Sequence, residues 1–279
     1  MSLTLYKYHG AGNDFLLADN RDGSISLSAE AVRRLCDRHT GFGSDGLMLL
    51  EKSDDYDFSM HYWNPDGSSG MMCGNGGRCL VAFAADLGLD SFRFIAADGP
   101  HFAQVLSRQG RKVTVRLGMK DVAGYVDMGA ECDDPEKGGF FLDTGTRHYV
   151  RFVDDVENVQ IETEGALWRH DSRFAPQGTN VNFVSVKEEQ VKVRTFEKGV
   201  EAETLACGTG IVATAMASFI HKGVGERRED GSVKVNVQAR IARLSVEFVP
   251  GDDGTFSDVW LTGPAERVGT MVPEDYLLN

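Results

Sequence analysis

Two stretches of the chain are apolar at almost every position, residues 79–89 (CLVAFAADLGL) and residues 211–220 (IVATAMASFI). Both are rich in alanine, and a helix that is apolar all round is buried on all sides rather than laid on a surface. Around them the pattern has period two. Val113, Val115 and Leu117 alternate with Lys112, Thr114 and Arg116. Phe58, Met60 and Tyr62 alternate with polar residues in the same way. Such alternation predicts half-buried strands. Further strands are expected at 3–8, 47–50, 139–143, 149–153, 181–186, 191–195, 233–237 and 244–248. Residues 28–37 (SAEAVRRLCD) read as a short helix, with Ser28 as N-cap and Glu30 in the first turn.

The order of elements repeats. Strands lead to an apolar helix and strands follow, once around each apolar run, which predicts an internal duplication with little residue identity. The expected fold is α+β, with two pseudosymmetric halves. Residues 1–118 form the first half and residues 119–267 the second. The end of the chain, 268–279, with its Pro273-Glu274-Asp275 turn, is expected to pack back on the first half.

The chain has 279 residues, 42% of them hydrophobic, and a formal net charge of −13. That acidity argues against nucleic-acid backbones and anionic membranes as partners. The N-terminus shows no basic-then-apolar leader, and no run of apolar residues is long enough to span a bilayer. Five cysteines without a regular framework fit reduced thiols and a cytoplasmic location.

Each buried helix is preceded by a cysteine and a glycine-rich turn: Cys73-Gly74-Asn75-Gly76-Gly77-Arg78-Cys79 and Cys207-Gly208-Thr209-Gly210. The first turn of a helix carries unpaired N–H groups and the positive end of the macrodipole. Glycine there lets backbone N–H groups approach an anion, and a thiol in that place ionises more readily. Either cysteine alone reads more readily as a small buried hydrophobe. Five residues separate Cys73 from Cys79, unlike the short spacing of a zinc site. The repetition points instead to two thiols serving one anion site, able to remove a proton from one face of a carbon and return one to the other.

The sequence resembles the diaminopimelate epimerases. The resemblance rests on GAGNDF at 10–15, NPDGS at 64–68, MCGNGGRC at 72–79, GTNVNF at 178–183 and EKGVEAETLACGTG at 197–210. It implies that each half is a barrel-like antiparallel sheet around its central helix, with the site in the cleft between. It implies cofactor-independent, metal-free interconversion of LL- and meso-diaminopimelate, and a homodimer. Cys73 and Cys207 would be the two bases. The N–H groups of Gly74, Asn75, Gly208 and Thr209 would hold the α-carboxylate. Asn13, Asn64, Asn180, Glu197 and Lys198 would check the distal end of the substrate, and His148 would lie near the thiols.

Three departures bear on that distal end. Lys198 stands where the family commonly has arginine, and lysine lacks the planar fork. Thr146 replaces an amide and Arg147 a proline in Gly145-Thr146-Arg147-His148, and Arg147 is a candidate for the missing cation. The loop from Glu197 to Cys207 looks one residue longer. Arg78 and Asp66 read as structural or functional alike. Two other readings stay open: a related racemase or epimerase of another amino acid, and a thiol redox or metal-binding protein using Cys73, Cys79 and Cys207.

Overall fold

The alternating segments form strands, and the two apolar runs lie in helices that are buried along most of their length. The computed structural model describes residues 3–129 and 139–278. The chain divides into two units, Met1–Leu117 with Gly263–Asn279, and Gly118–Thr262. The C-terminal segment that joins the first unit thus starts at Gly263, earlier than the 268 expected.

In the first unit β1 (Leu5–Gly10) and β2 (Asn13–Asn20) form a hairpin. Its tight turn puts Ala11 and Gly12 at positive φ, 55° and 92°. Helix α1 (Ala29–Cys36) then crosses over to β3 (Leu47–Glu51), which pairs parallel with β2. Ser28 caps α1 by accepting the Ala31 N–H at 3.1 Å. Strand β4 (Phe58–Trp63) returns antiparallel to β3, and α2 (Gly74–Asp86) carries the chain to β5 (Arg93–Ala96), parallel to β4. Strands β6 (Gly99–Gln109) and β7 (Lys112–Gly118) follow antiparallel. The far end of the chain closes the circuit. The last strand, Phe256–Met271, runs beside β7 and then beside β1. Eight strands thereby surround α2, which is buried from Gly74 to Ala84.

The second unit repeats this circuit. Strand β8 (Tyr125–Asp127) pairs with β9 (Gly139–Asp143), and β9 with β10 (Arg147–Phe152). Helix α3 (Ile161–Arg169) crosses over to β11 (Asn180–Lys187), parallel to β10. Strand β12 (Gln190–Glu197) is antiparallel to β11. A side strand, β13 (Ala202–Thr204), precedes α4 (Gly208–Lys222). After α4 come a short β14 (Glu226–Arg227), then β15 (Val233–Gln238), parallel to β12, and β16 (Arg243–Pro250). The first part of β17 (Phe256–Met271) pairs with β16, and a bridge from Val122 to Phe256 completes the ring. A short α5 (Asp275–Leu278) packs on α1. The expected antiparallel sheet is therefore mixed. Both crossovers in each unit join parallel neighbours, because an intervening helix returns the chain to the same end of the sheet.

Each central helix is fixed at its far end. Phe83 on α2 packs against Tyr6 and Tyr8, with ring centroids 5.0 and 5.9 Å away. The Tyr8 hydroxyl donates to Asp86, which also pairs with Arg108 at 2.6 Å. Helix α4 ends at Gly223 in the left-handed region, with His221 and Lys222 on its last turn.

Candidate active site

Cys73 is the N-cap of α2, and its Sγ accepts the Gly76 N–H at 3.2 Å. Extended backbone at the cap (φ −118°, ψ 149°) turns the side chain back over the first turn, where N–H groups point outward. Asn75, 3% exposed, ties this turn to the β1–β2 hairpin, since its Nδ2 donates to Asn13 Oδ1 at 3.3 Å. Asn13 Nδ2 in turn donates to Asp45 Oδ2 at 2.5 Å. Behind Asn75 lies Arg78, wholly buried. It donates to Asn75 Oδ1 at 2.8 Å, to the Gly74 carbonyl at 3.0 Å and to the Pro264 carbonyl at 3.5 Å. Burial pushes its guanidinium down to about 10, so Arg78 remains a cation at neutral pH.

An ion network fixes the loop that carries Asp45. Arg38 reaches Asp45 at 2.5 Å and Asp14 at 3.0 Å, and Lys7 reaches Asp14 at 2.7 Å. Burial acts to raise the Asp14 carboxyl, but the two cations outweigh it and hold the group below its ordinary range. The first unit thus brings Cys73, Gly74, Asn75 and Asn13 into one bonded cluster. Asn64 stands apart. Its Nδ2 braces its own turn, donating to Ser68 Oγ at 3.0 Å and to the Ser69 carbonyl at 3.4 Å. Asp66 braces the same turn, accepting from the Ser68 N–H and hydroxyl at 2.9 and 2.6 Å.

Cys207 is the N-cap of α4 and 8% exposed, with its Sγ 3.4 Å from Thr209 Oγ1. Thr209 belongs to a tight polar group. His148 Nε2 lies 2.9 Å from Thr209 Oγ1 and 2.9 Å from Thr146 Oγ1, and the two hydroxyl oxygens are 2.9 Å apart. Thr144 Oγ1 donates to the Thr209 carbonyl at 3.0 Å. His148 is wholly buried on β10, and burial pushes its imidazole down to about 3, so it is neutral at ordinary pH. Two residues on neighbouring strands complete the group. Asn182 Nδ2 donates to His148 Nδ1 at 3.0 Å, and the Thr195 hydroxyl donates to Asn182 Oδ1 at 3.0 Å.

The remaining expected contacts lie on β10 (Arg147), on β11 (Asn180) and at the end of β12 (Glu197, followed by Lys198). Asn180 is 6% exposed and bonds backbone: its Nδ2 donates to the Arg147 carbonyl at 3.0 Å, and its Oδ1 accepts the Lys198 N–H at 2.8 Å. The Lys198 side chain is exposed. Glu197 accepts from the Thr204 hydroxyl at 2.9 Å. Arg147, the candidate for a substitute cation, has its guanidinium on the Phe174 carbonyl at 3.1 Å, Gln177 Oε1 at 3.0 Å and the Phe141 ring at 5.0 Å. Those bonds anchor it to the loop ahead of β11. Cys79 is wholly buried, and burial raises its thiol far above the ordinary range, so it serves as a small hydrophobe.

Sequence reasoning passed over Asp45 and Thr195, and of the pair Asn180 and Asn182 the family resemblance selected Asn180. Asn182 sits two residues after Asn180 on the same strand, and that spacing was the available signal.

The circuit of two eight-stranded rings around buried helices is shared with known structures. A phenazine biosynthesis protein of the PhzF family from Bacillus anthracis superposes with a TM-score of 0.75 at 14% identity, over 98% of this chain and 99% of that one. A probable proline racemase from Agrobacterium radiobacter K84 gives 0.66 at 17%, over 98% and 93%. The fold class is that of the PhzF and proline racemase proteins. Within it, the family model for diaminopimelate epimerase matches residues 5–122 and 140–257, and the chain belongs to that family. A diaminopimelate epimerase from Flavobacterium psychrophilum is 40% identical over 95% of this chain and 98% of its own. One from Aquifex aeolicus is 39% identical over 95% and 96%.

Proposed function

We propose that this protein is an isomerase that interconverts LL- and meso-diaminopimelate by proton transfer at the α-carbon. The observation that carries the reading is the repeated N-cap cysteine. Cys73 and Cys207 each head a buried helix whose first turn presents N–H groups, in a chain of this family.

The α-hydrogen of an amino acid is a very weak acid, so the developing carbanion needs fixed electrostatic support. Backbone N–H groups of Gly74, Asn75, Gly208 and Thr209 supply it at the α-carboxylate, where helix N-termini favour negative charge. One cysteine acts as thiolate and takes the α-proton. The other, as thiol, delivers a proton to the opposite face. One C–H bond breaks and one forms, and the pair of thiols exchanges protonation states. Neither step calls for an organic cofactor. Asn13 is held in place through Asn75 and Asp45, and Asn180 through the backbone of Arg147 and Lys198. Together with Asn64, Glu197 and Lys198 they recognise the distal ammonium and carboxylate. His148, Thr146 and Arg147 support the second half of the site. The protein works as a cytoplasmic homodimer, and among the described residues no helix is long and apolar enough to cross a membrane.

A second reading, an epimerase of another amino acid, draws on the exposed Lys198 in place of an arginine fork and on Thr146, whose hydroxyl is spent on His148 and Thr209. Solvent deuterium separates the two. The protein in D2O, without added cofactor, is expected to label the α-carbon of LL-diaminopimelate and to form the meso isomer, followed by NMR. Folded, reduced protein that leaves this substrate unlabelled would refute the first reading and favour the second.

A further inference from the structure

The hydrogen bonds around His148 fix where its proton lies. Asn182 and Thr195 stand directly opposite each other on β11 and β12. Asn182 Nδ2 also lies 3.4 Å from the Tyr149 carbonyl, which can only accept, so the amide cannot be reversed without setting two oxygens against each other. In this orientation Asn182 Oδ1 accepts from Thr195, and Nδ2 donates to His148 Nδ1 at 3.0 Å. Nδ1 therefore carries no proton. A neutral imidazole then has its proton on Nε2, which faces the hydroxyl oxygens of Thr146 and Thr209, both at 2.9 Å.

Nε2 in that form cannot accept. The two hydroxyls satisfy each other only once, so one hydroxyl proton must leave the triangle. The Cys207 sulfur, 3.4 Å from Thr209 Oγ1, is the acceptor beside it. Gly210 keeps the arrangement possible: a Cβ there would lie 2.6 Å from Asn182 Oδ1 and 3.3 Å from His148 Cε1.

We propose that Thr195 and Asn182 lock His148 as the Nε2–H tautomer, so that the Thr209 hydroxyl donates a hydrogen bond to the Cys207 thiolate. His148, Asn182 and Thr195 are positioning residues that act through Thr209. His148 is not the base that deprotonates Cys207, because one ring nitrogen is occupied and the other already holds a proton. The inference rests on the reading of Cys207 as a catalytic base, and its test needs no substrate.

Nitrogen-15 NMR of the wild-type protein labelled at histidine reads the tautomer directly. A His148 Nδ1 shift in the unprotonated range, with a protonated Nε2, is expected, and a protonated Nδ1 would overturn the proposal. The Cys207 peptide is then followed by mass spectrometry during iodoacetamide alkylation at fixed pH. Thr209→Val is expected to slow alkylation about tenfold, the size of a lost hydrogen bond to a charged group, and Thr209→Ser to restore it. Asn182→Asp, of equal volume, draws the proton to Nδ1 and is expected to slow Cys207 in the same way. Alkylation unchanged in Thr209→Val would also overturn the proposal. Both Thr209 variants keep the buried core, so the test survives an Asn182→Asp protein that does not fold. Deuterium exchange on diaminopimelate stands apart from these readouts: a locked tautomer in a protein that labels no substrate would sink the function and keep the relay.

Discussion

Gly76 and Gly210 occupy the same place in the two units, in the first turn of the central helix behind its N-cap cysteine, yet they face different chemistry. A Cβ on Gly76 would meet the Met48 methyl at 2.5 Å, Cys73 Sγ at 3.2 Å and Phe15 at 3.5 Å. A Cβ on Gly210 would meet the Asn182 amide oxygen at 2.6 Å. Met48 lies on β3 and Asn182 on β11, the strands reached after the first crossover in each unit. The duplicated fold thus puts a flexible apolar wall behind one thiol and a fixed polar wall behind the other.

Stability should reveal that difference. Met48 can swing its methyl aside, and alanine gains roughly 1 kcal/mol over glycine inside a helix. Gly76→Ala is expected to unfold in urea within about 1 kcal/mol of wild type. Asn182 is held by three neighbours and cannot move, so Gly210→Ala is expected to lose about 2 kcal/mol. Equal losses would show that the polar wall is no stiffer than the apolar one.

Acid should act on His148. Its imidazole has a folded value of about 3 against an ordinary 6.5, so between those values the unfolded chain binds a proton that the folded one refuses. Stability is then complete above the ordinary value and drains away as the pH falls toward the lowered one. For a wholly buried group this amounts to about 3 kcal/mol between pH 7 and pH 4. His148→Gln should flatten that part of the curve, measured by denaturant unfolding at the two pH values. A parallel slope in the variant would remove His148 from the account.

Arg78 holds the first turn of α2 from below. Lysine cannot reach the Gly74 carbonyl, Asn75 and Pro264 with one ammonium. Arg78→Lys leaves buried oxygens without donors and is expected to cost about 2 kcal/mol in unfolding free energy. Asn75 then loses the bond that directs its Nδ2 toward Asn13, so epimerisation should also fall. A variant as stable and active as wild type would make the guanidinium dispensable.

The cysteines themselves give the sharpest contrast. Cys73→Ser and Cys207→Ser should each lower epimerisation by about a thousandfold or more. Circular dichroism and the unfolding midpoint should stay close to wild type. Substantial turnover in either variant rules out a two-base mechanism.

Much of this was legible because single residues carried it. Ser28 announced α1, and the all-apolar runs announced α2 and α4, since no other packing hides such a surface. The cysteine and glycine turns stood directly before those runs. Other parts depended on contacts far along the chain. Strand β2 starts at Asn13, and its Phe15, Leu16 and Leu17 are buried on a strand with no clean alternation. The long β17 contains Gly263 and Pro264, residues that argue against a strand until both of its partners are known. Helix α3 went unread because Gly165 interrupts it. That glycine lets it press on Phe196, where a Cβ would come within 2.5 Å of the ring. His148, Asn182 and Thr195 are polar residues on the inner face of a sheet, where alternation predicts apolar ones. Their meaning appears only when strands distant in sequence bring them together.

Strand β17 also sets an order of events during synthesis. The second unit is continuous from Gly118 to Thr262 and has every strand it needs once that span has left the ribosome. The first unit is made earlier but waits, because the strand between β7 and β1 is encoded after the whole of the second unit. Until Gly263–Met271 emerges, β1 and β7 remain open edges, the most adhesive surfaces a sheet can present. The half of the protein that is translated first is therefore the half that is completed last.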